Sequence, residues 1–206
     1  MYTLEKEEFN YFDIKDIDVF VTCWSKYANT PPNELGTNRK IDYFSELNIG
    51  GDLSASNVRK LLRWKDPKYL THTIKSGANQ GQPNPRVEKV LNHIDDLNRF
   101  RNSVISPDSF KEITQQIFPS GIIWQVFLFH ICKPSQFPIV DQHVFRVYEY
   151  HTNDVQGDSW DKYQKYVVYF NELSREFGAE DDIHKLKSID SALMSYGQFL
   201  KKYDKN

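Results

Sequence analysis

Residues 122–132 read IIWQVFLFHIC, and no other stretch limits the fold as strongly. Pro119-Ser120-Gly121 interrupts the chain just before it, and residues 133–138 form a connector after it. A helix that is apolar on every face must be buried. This one is too short to cross a bilayer, and Gln125 and His130 interrupt it. The chain must therefore supply other elements to cover it.

Those elements also read as helices. Apolar residues recur at helical spacing over residues 16–27 and 38–47. Ser54 can cap a helix running through Trp64, and Asp66 can cap the next, with Pro67 at its first position. Residues 75–85, KSGANQGQPNP, hold two glycines and two prolines and force a loop. A helix from Pro85 to about Arg101 follows, with Val87, Val90, Leu91, Ile94 and Leu97 on one face. Ser106-Pro107-Asp108 opens another, anchored by Phe110, Ile113 and Ile117. Asp141 stands at the start of a helix that shows Val144, Val147 and Tyr148 on one side. Helices over 160–177 and 182–203 end the chain. No strand alternation, repeat or long polar linker is present, so the expectation is one all-α domain over residues 1–206.

The formal net charge is −2 among 206 residues, which rules out a polybasic nucleic-acid binder. Contact with DNA would need local patches or backbone amides. Arg59, Lys60, Arg63, Lys65 and Lys68 form the richest basic run, and a solvated helix face accounts for it equally well. Two cysteines, Cys23 and Cys132, stand far apart in apolar surroundings and are expected to act as small core residues. No zinc spacing or iron–sulfur cluster pattern occurs, so no cofactor or metal is expected. The opening MYTLEKEEFNYF lacks an apolar core of the kind a secretory signal needs, which leaves a cytoplasmic location as the expectation, with no membrane partner.

Residues 117–148, IFPSGIIWQVFLFHICKPSQFPIVDQHVFRVY, carry the chemistry. They read as helix, tight glycine turn, buried helix, short loop, then an acid at a helix start. A turn between two helices leaves backbone N–H groups at the second N-terminus, where they can hold a phosphate. This stretch resembles the helix-hairpin-helix DNA glycosylase superfamily, which includes endonuclease III and the adenine glycosylases. That family places an acid about twenty residues after the second hairpin glycine, within Val/Leu-Asp-x-x-Val/Ile-x-Arg-Val. Here Gly121 and Asp141 are twenty residues apart, and Val140-Asp141-Gln142-His143-Val144-Phe145-Arg146-Val147 fits the signature. Phe137-Pro138-Ile139 is similar to the lead-in of adenine-type members.

The resemblance implies two helical lobes around a cleft, duplex DNA with a flipped base as partner, and Asp141 as the catalytic carboxylate. It implies DNA contacts from Ser120, Gly121, Ile122, Ile123, Lys133 and His143, and a substrate pocket that includes Trp124, Gln125 and Gln142. The hairpin departs from the usual apolar-Pro-Gly-apolar-Gly form, since Ser120 follows a displaced Pro119. Members that cleave the strand carry a lysine two residues past the second glycine, and Ile123 occupies that place. Lys133 is no simple substitute, because ten helical residues put it about 15 Å farther along the axis.

Breaking an N-glycosidic bond builds positive charge on the sugar as the base leaves. A fixed carboxylate about 4 Å away at an effective dielectric near 20 stabilises that charge by roughly 4 kcal/mol. The same group can orient or deprotonate the attacking water. With Ile123 in place of lysine no Schiff base can form. The expected activity is monofunctional hydrolysis of a damaged or modified base, in repair or in defence against modified phage DNA, with the base flipped out of the stack. The alternative is a non-catalytic nucleic-acid-binding module of the same fold. Asp141 also fits a plain N-cap. Core packing is open to Trp124, a satisfied core position to His130, and a bracing role to Arg146. Residues 75–85 could wedge into DNA or form an ordinary surface loop.

Overall fold

The computed structural model describes residues 16–28, 43–47, 50–66, 78, 80–82, 85–154, 157, 159–180 and 182–203. Among them the regular structure is entirely helical: α1 (Ile17–Ala28), α2 (Tyr43–Leu47), α3 (Ala55–Lys65), α4 (Arg86–Leu91), α5 (Ile94–Arg101), α6 (Pro107–Ile117), α7 (Ile122–Cys132), α8 (Gln142–Thr152), α9 (Trp160–Glu176) and α10 (Ile183–Tyr203). The chain separates into two compact units. One joins Met1–Glu34 to Ser135–Asn206, and the other is the intervening Leu35–Pro134. No described helix is long and apolar enough to cross a membrane.

In the intervening unit α7 is the core. Every side chain from Gln125 to Cys132 is buried, as its all-round apolarity requires. Helices α5 and α6 pack on it. Phe100 and Phe110 stack at 4.2 Å, and Phe129 meets both rings edge-on at 5.0 and 4.8 Å. Arg101 closes the far end of α7. Its guanidinium donates to the carbonyls of Ile131 at 3.2 Å and Leu47 at 3.2 Å, and its Nε donates to Gly51 at 3.0 Å. A cation at a helix C-terminus satisfies carbonyls that have no partner within the helix. His130 is a satisfied core histidine, hydrogen-bonded through Nε2 to the Tyr43 hydroxyl.

The other unit is built on α10, a helix of 21 residues packed along α1 and α8, with α9 against α8 and α10. Tyr163, Tyr166, Phe170 and Leu173 form the buried stripe of α9. Lys162 is fully buried as well, and is tolerated because it pairs with Glu149 and lies 4.6 Å from the centre of the Phe145 ring. A buried charge needs a partner of this kind.

Three expectations require correction. The helix predicted from Pro85 to Arg101 is two helices, because Asn92 and His93 form a turn in which the His93 N–H bonds to Val90 in the tighter i−3 pattern. Cys23 is exposed. Helix α1 buries Ile17, Phe20, Val21 and Trp24 at 3.6-residue spacing, and Cys23 falls off that stripe. Cys132 is buried as expected; it donates to the Leu97 carbonyl at 3.4 Å, and burial pushes its thiol far above the usual range. Asp66 is the C-cap of α3. The helix expected to begin at Pro67 and most of the 75–85 loop lie outside the described residues, as do residues 38–42 of the second predicted helix.

Candidate functional site

Asp141 has an extended backbone, φ −144° and ψ −178°, at the N-cap of α8. Its Oδ1 accepts from the N–H groups of His143 at 2.7 Å and Val144 at 2.9 Å. Those two bonds satisfy helix donors that have no intrahelical partner. Oδ2 has no protein donor among the described residues. One carboxylate oxygen is therefore anchored by the backbone and the other is not.

The approach to Asp141 is equally fixed. Pro138, Ile139 and Val140 are buried. The Tyr163 hydroxyl donates to the Pro138 carbonyl at 3.0 Å. Burial holds that hydroxyl well above its ordinary pKa, so it stays a donor. After the cap, α8 buries Val144, Phe145, Val147 and Tyr148, which includes all three residues expected on its inner face.

Gly197 of α10 sets how closely the two helices approach. A Cβ there would lie 2.0 Å from the His143 carbonyl oxygen and 2.6 Å from its carbon. Only glycine permits this approach. Arg146 then bridges the two helices, donating from Nη1 to the Gly197 carbonyl at 3.1 Å, with His143 Nδ1 also 3.1 Å from that nitrogen. The bracing role open to Arg146 matches this geometry. The His143 imidazole is held below its ordinary pKa, first by burial, with Arg146 and Lys201 acting in the same sense; Asp141 and the Gly197 carbonyl oppose them. Gln142, in the first turn, is exposed.

The hairpin lies in the other unit. Phe118 ends α6, its N–H donating to Thr114 at 2.8 Å, and Pro119 and Ser120 are exposed. Gly121 precedes α7 without a side-chain cap. Trp124 and Gln125 donate their N–H groups to the Gly121 carbonyl at 2.8 and 2.9 Å, whereas the N–H groups of Ile122 and Ile123 have no acceptor among the described residues. The Gln125 side chain is buried and donates Nε2 to the Phe118 carbonyl at 2.5 Å, pinning the turn. Trp124 stacks on Phe118 at 5.8 Å and meets Phe127 edge-on at 6.0 Å. The half-buried Trp124 and the buried Gln125 thus both pack against Phe118 at the hairpin.

Lys133 occupies the opposite end of α7, where its ammonium donates to Ser103 at 2.8 Å and lies 4.8 Å from the Phe100 ring centre. It does not join Ser120, Gly121, Ile122 and Ile123. Two residues of the basic run on α3 are paired, Arg59 with Glu88 at 2.9 Å and Lys60 with Glu46 at 2.6 Å, and Lys65 faces the Phe127 ring. Lys68 lies outside the described residues.

Two positioning residues escaped the sequence reading. A glycine inside a long helical pattern is costly and signals close packing, which was the available clue to Gly197. Nothing in the pattern distinguished Tyr163 from the other tyrosines of α9. No family model, curated protein or solved structure matches this chain.

Proposed function

We propose that this protein is a monofunctional DNA glycosylase of helix-hairpin-helix type, with Asp141 as its catalytic carboxylate. The observation that carries the reading is the divided state of that carboxylate. Oδ1 is tied to two backbone amides, which fixes the group, while Oδ2 has no protein partner among the described residues. In the proposed reaction the anion stabilises positive charge on the deoxyribose and directs a water to the anomeric carbon. The C–N bond breaks, water supplies the hydroxyl, and the base leaves with a proton. The unpartnered amides of Ile122 and Ile123 hold a backbone phosphate. Ile123 has no amine, so the product is an abasic site in an intact strand.

The test is incubation of the full chain with duplexes carrying different modified bases, followed by alkali. Strand breaks that need alkali support the proposal. Breaks without alkali, or a borohydride-trapped adduct, contradict the monofunctional chemistry. The two amide bonds to Oδ1 also favour a second reading, a DNA-binding module in which Asp141 only caps α8. DNA binding with no base release from any duplex supports that reading.

A further inference from the structure

We propose that Trp64, Tyr43 and His130 form a one-electron relay, in which a diffusible oxidising radical takes an electron at Trp64 and Tyr43 holds the oxidising equivalent as a neutral phenoxyl radical. The relay lies within the Leu35–Pro134 unit and does not depend on the glycosylase reading. Trp64 is half-buried on α3, whereas Tyr43 and His130 are buried. The indole is therefore the member that an oxidant in solution can meet. Its ring centre lies 4.0 Å from that of Tyr43, with the ring planes 31° apart. The two π-systems are in contact, so an electron can pass between them. The Tyr43 hydroxyl is in turn hydrogen-bonded to His130 Nε2.

The proton decides where the oxidising equivalent stops. A phenol that loses an electron becomes a strong acid, and inside a protein its proton needs a base within hydrogen-bond reach. A neutral imidazole is such a base, because one ring nitrogen carries a lone pair. In the relay that nitrogen is Nε2. The radical oxidant gains one electron and becomes its reduced anion, which leaves an indole radical cation at Trp64. Tyr43 then gives one electron to the indole; its O–H bond breaks and an N–H bond forms at Nε2. The products are restored Trp64, a Tyr43 phenoxyl radical and a His130 imidazolium bonded to the phenoxyl oxygen. A small reductant such as ascorbate returns an electron through Trp64, and the proton goes back to Tyr43. Other phenols have poorer proton acceptors. The Tyr163 hydroxyl donates to a carbonyl, and that of Tyr148 to Asp154 at 3.1 Å, a weaker base than imidazole. Tyr169 also meets a histidine, His151 at 2.7 Å, and serves as the control.

The experiment is flash oxidation of the full chain with photoexcited tris(bipyridyl)ruthenium and persulfate. Transient absorption follows the radicals, and electron paramagnetic resonance after rapid freezing identifies them, using ring-deuterated tyrosine or tryptophan. The expected record is an indole radical cation that decays into a tyrosyl radical, more slowly in heavy water. Tyr43→Phe should lose the tyrosyl signal and prolong the indole radical. Trp64→Phe, which keeps a ring in place, should lose most of the tyrosyl signal. His130→Gln keeps an acceptor for the phenol but offers no base, and should lose the signal as well. Circular dichroism checks that each variant is folded. A tyrosyl signal of wild-type size in folded Tyr43→Phe overturns the relay, as does its loss in Tyr169→Phe. A wild-type chain that yields only indole radicals overturns it too. A wild-type signal in His130→Gln overturns the proton transfer; if that variant does not fold, the absence of a heavy-water effect in wild type does so instead.

Discussion

Helix α7 begins at Gly121 with no side chain closing its first turn, whereas α8 begins at Asp141, whose carboxylate closes its first turn twice. The two starts solve the same problem of spare N–H groups in different ways. At α7 two amides are left for an outside anion, and the stiffness comes from Gln125 gripping the Phe118 carbonyl. At α8 the protein supplies its own carboxylate, one oxygen of which has no protein donor among the described residues. An open amide pair suits a phosphate, and an anchored carboxylate suits a developing cation. The glycines differ in parallel. Gly121 has only ordinary contacts, the nearest at 3.6 Å, while Gly197 touches backbone.

The largest expected effect tests the α8 start. Asp141→Asn keeps the cap, because Asn caps as well as Asp, and removes the charge. Base release should fall about 10³-fold, the equivalent of roughly 4 kcal/mol, with DNA affinity and melting temperature nearly unchanged. Retained activity in the alkali assay would reduce Asp141 to a cap.

Gly197→Ala comes next. Its Cβ would strike a backbone carbonyl that cannot rotate away, so α10 and α8 must separate. A loss of at least about 1–3 kcal/mol in denaturant unfolding is expected. Gln125→Leu probes the α7 start by removing the side-chain donor to the Phe118 carbonyl, which keeps only the longer bond from the Gly121 N–H at 3.3 Å, and should cost about 1 kcal/mol. If it costs nothing, the turn needs no brace.

A smaller effect concerns pH. The folded pKa of His143 is depressed below the ordinary 6.5. The native state therefore resists protonation, and the contribution is whole above that value. It is lost as pH falls through 6.5 toward the lower folded value. Denaturation midpoints between about pH 7.5 and about pH 5.5 should decline more steeply in wild type than in His143→Gln. The smallest effect is Gly121→Ala. With φ −113° and room for a Cβ, it should leave stability within about 0.5 kcal/mol of wild type or slightly above it. A loss as large as that of Gly197→Ala would erase the contrast between the two glycines.

Local chemistry was readable along the chain. The caps at Ser54, Ser106 and Asp141, the break before α7 and the burial of α7 all depend on near neighbours and on spacing, so the residues themselves announce them. The α4–α5 break was not readable, because one apolar stripe runs across it and the turn at Asn92 and His93 leaves that stripe unbroken.

What the amino-acid order alone determined is an all-helical chain, a buried central helix and an acid at a helix start. Tertiary structure decided that Gly197 lets α10 reach the α8 backbone, that Arg146 bridges to the Gly197 carbonyl, and that Arg59 and Lys60 on α3 pair with Glu88 and Glu46. Helical periodicity records which face of each helix is apolar. It holds no information about which residue, 51 positions away for Arg146 and Gly197, that face will meet.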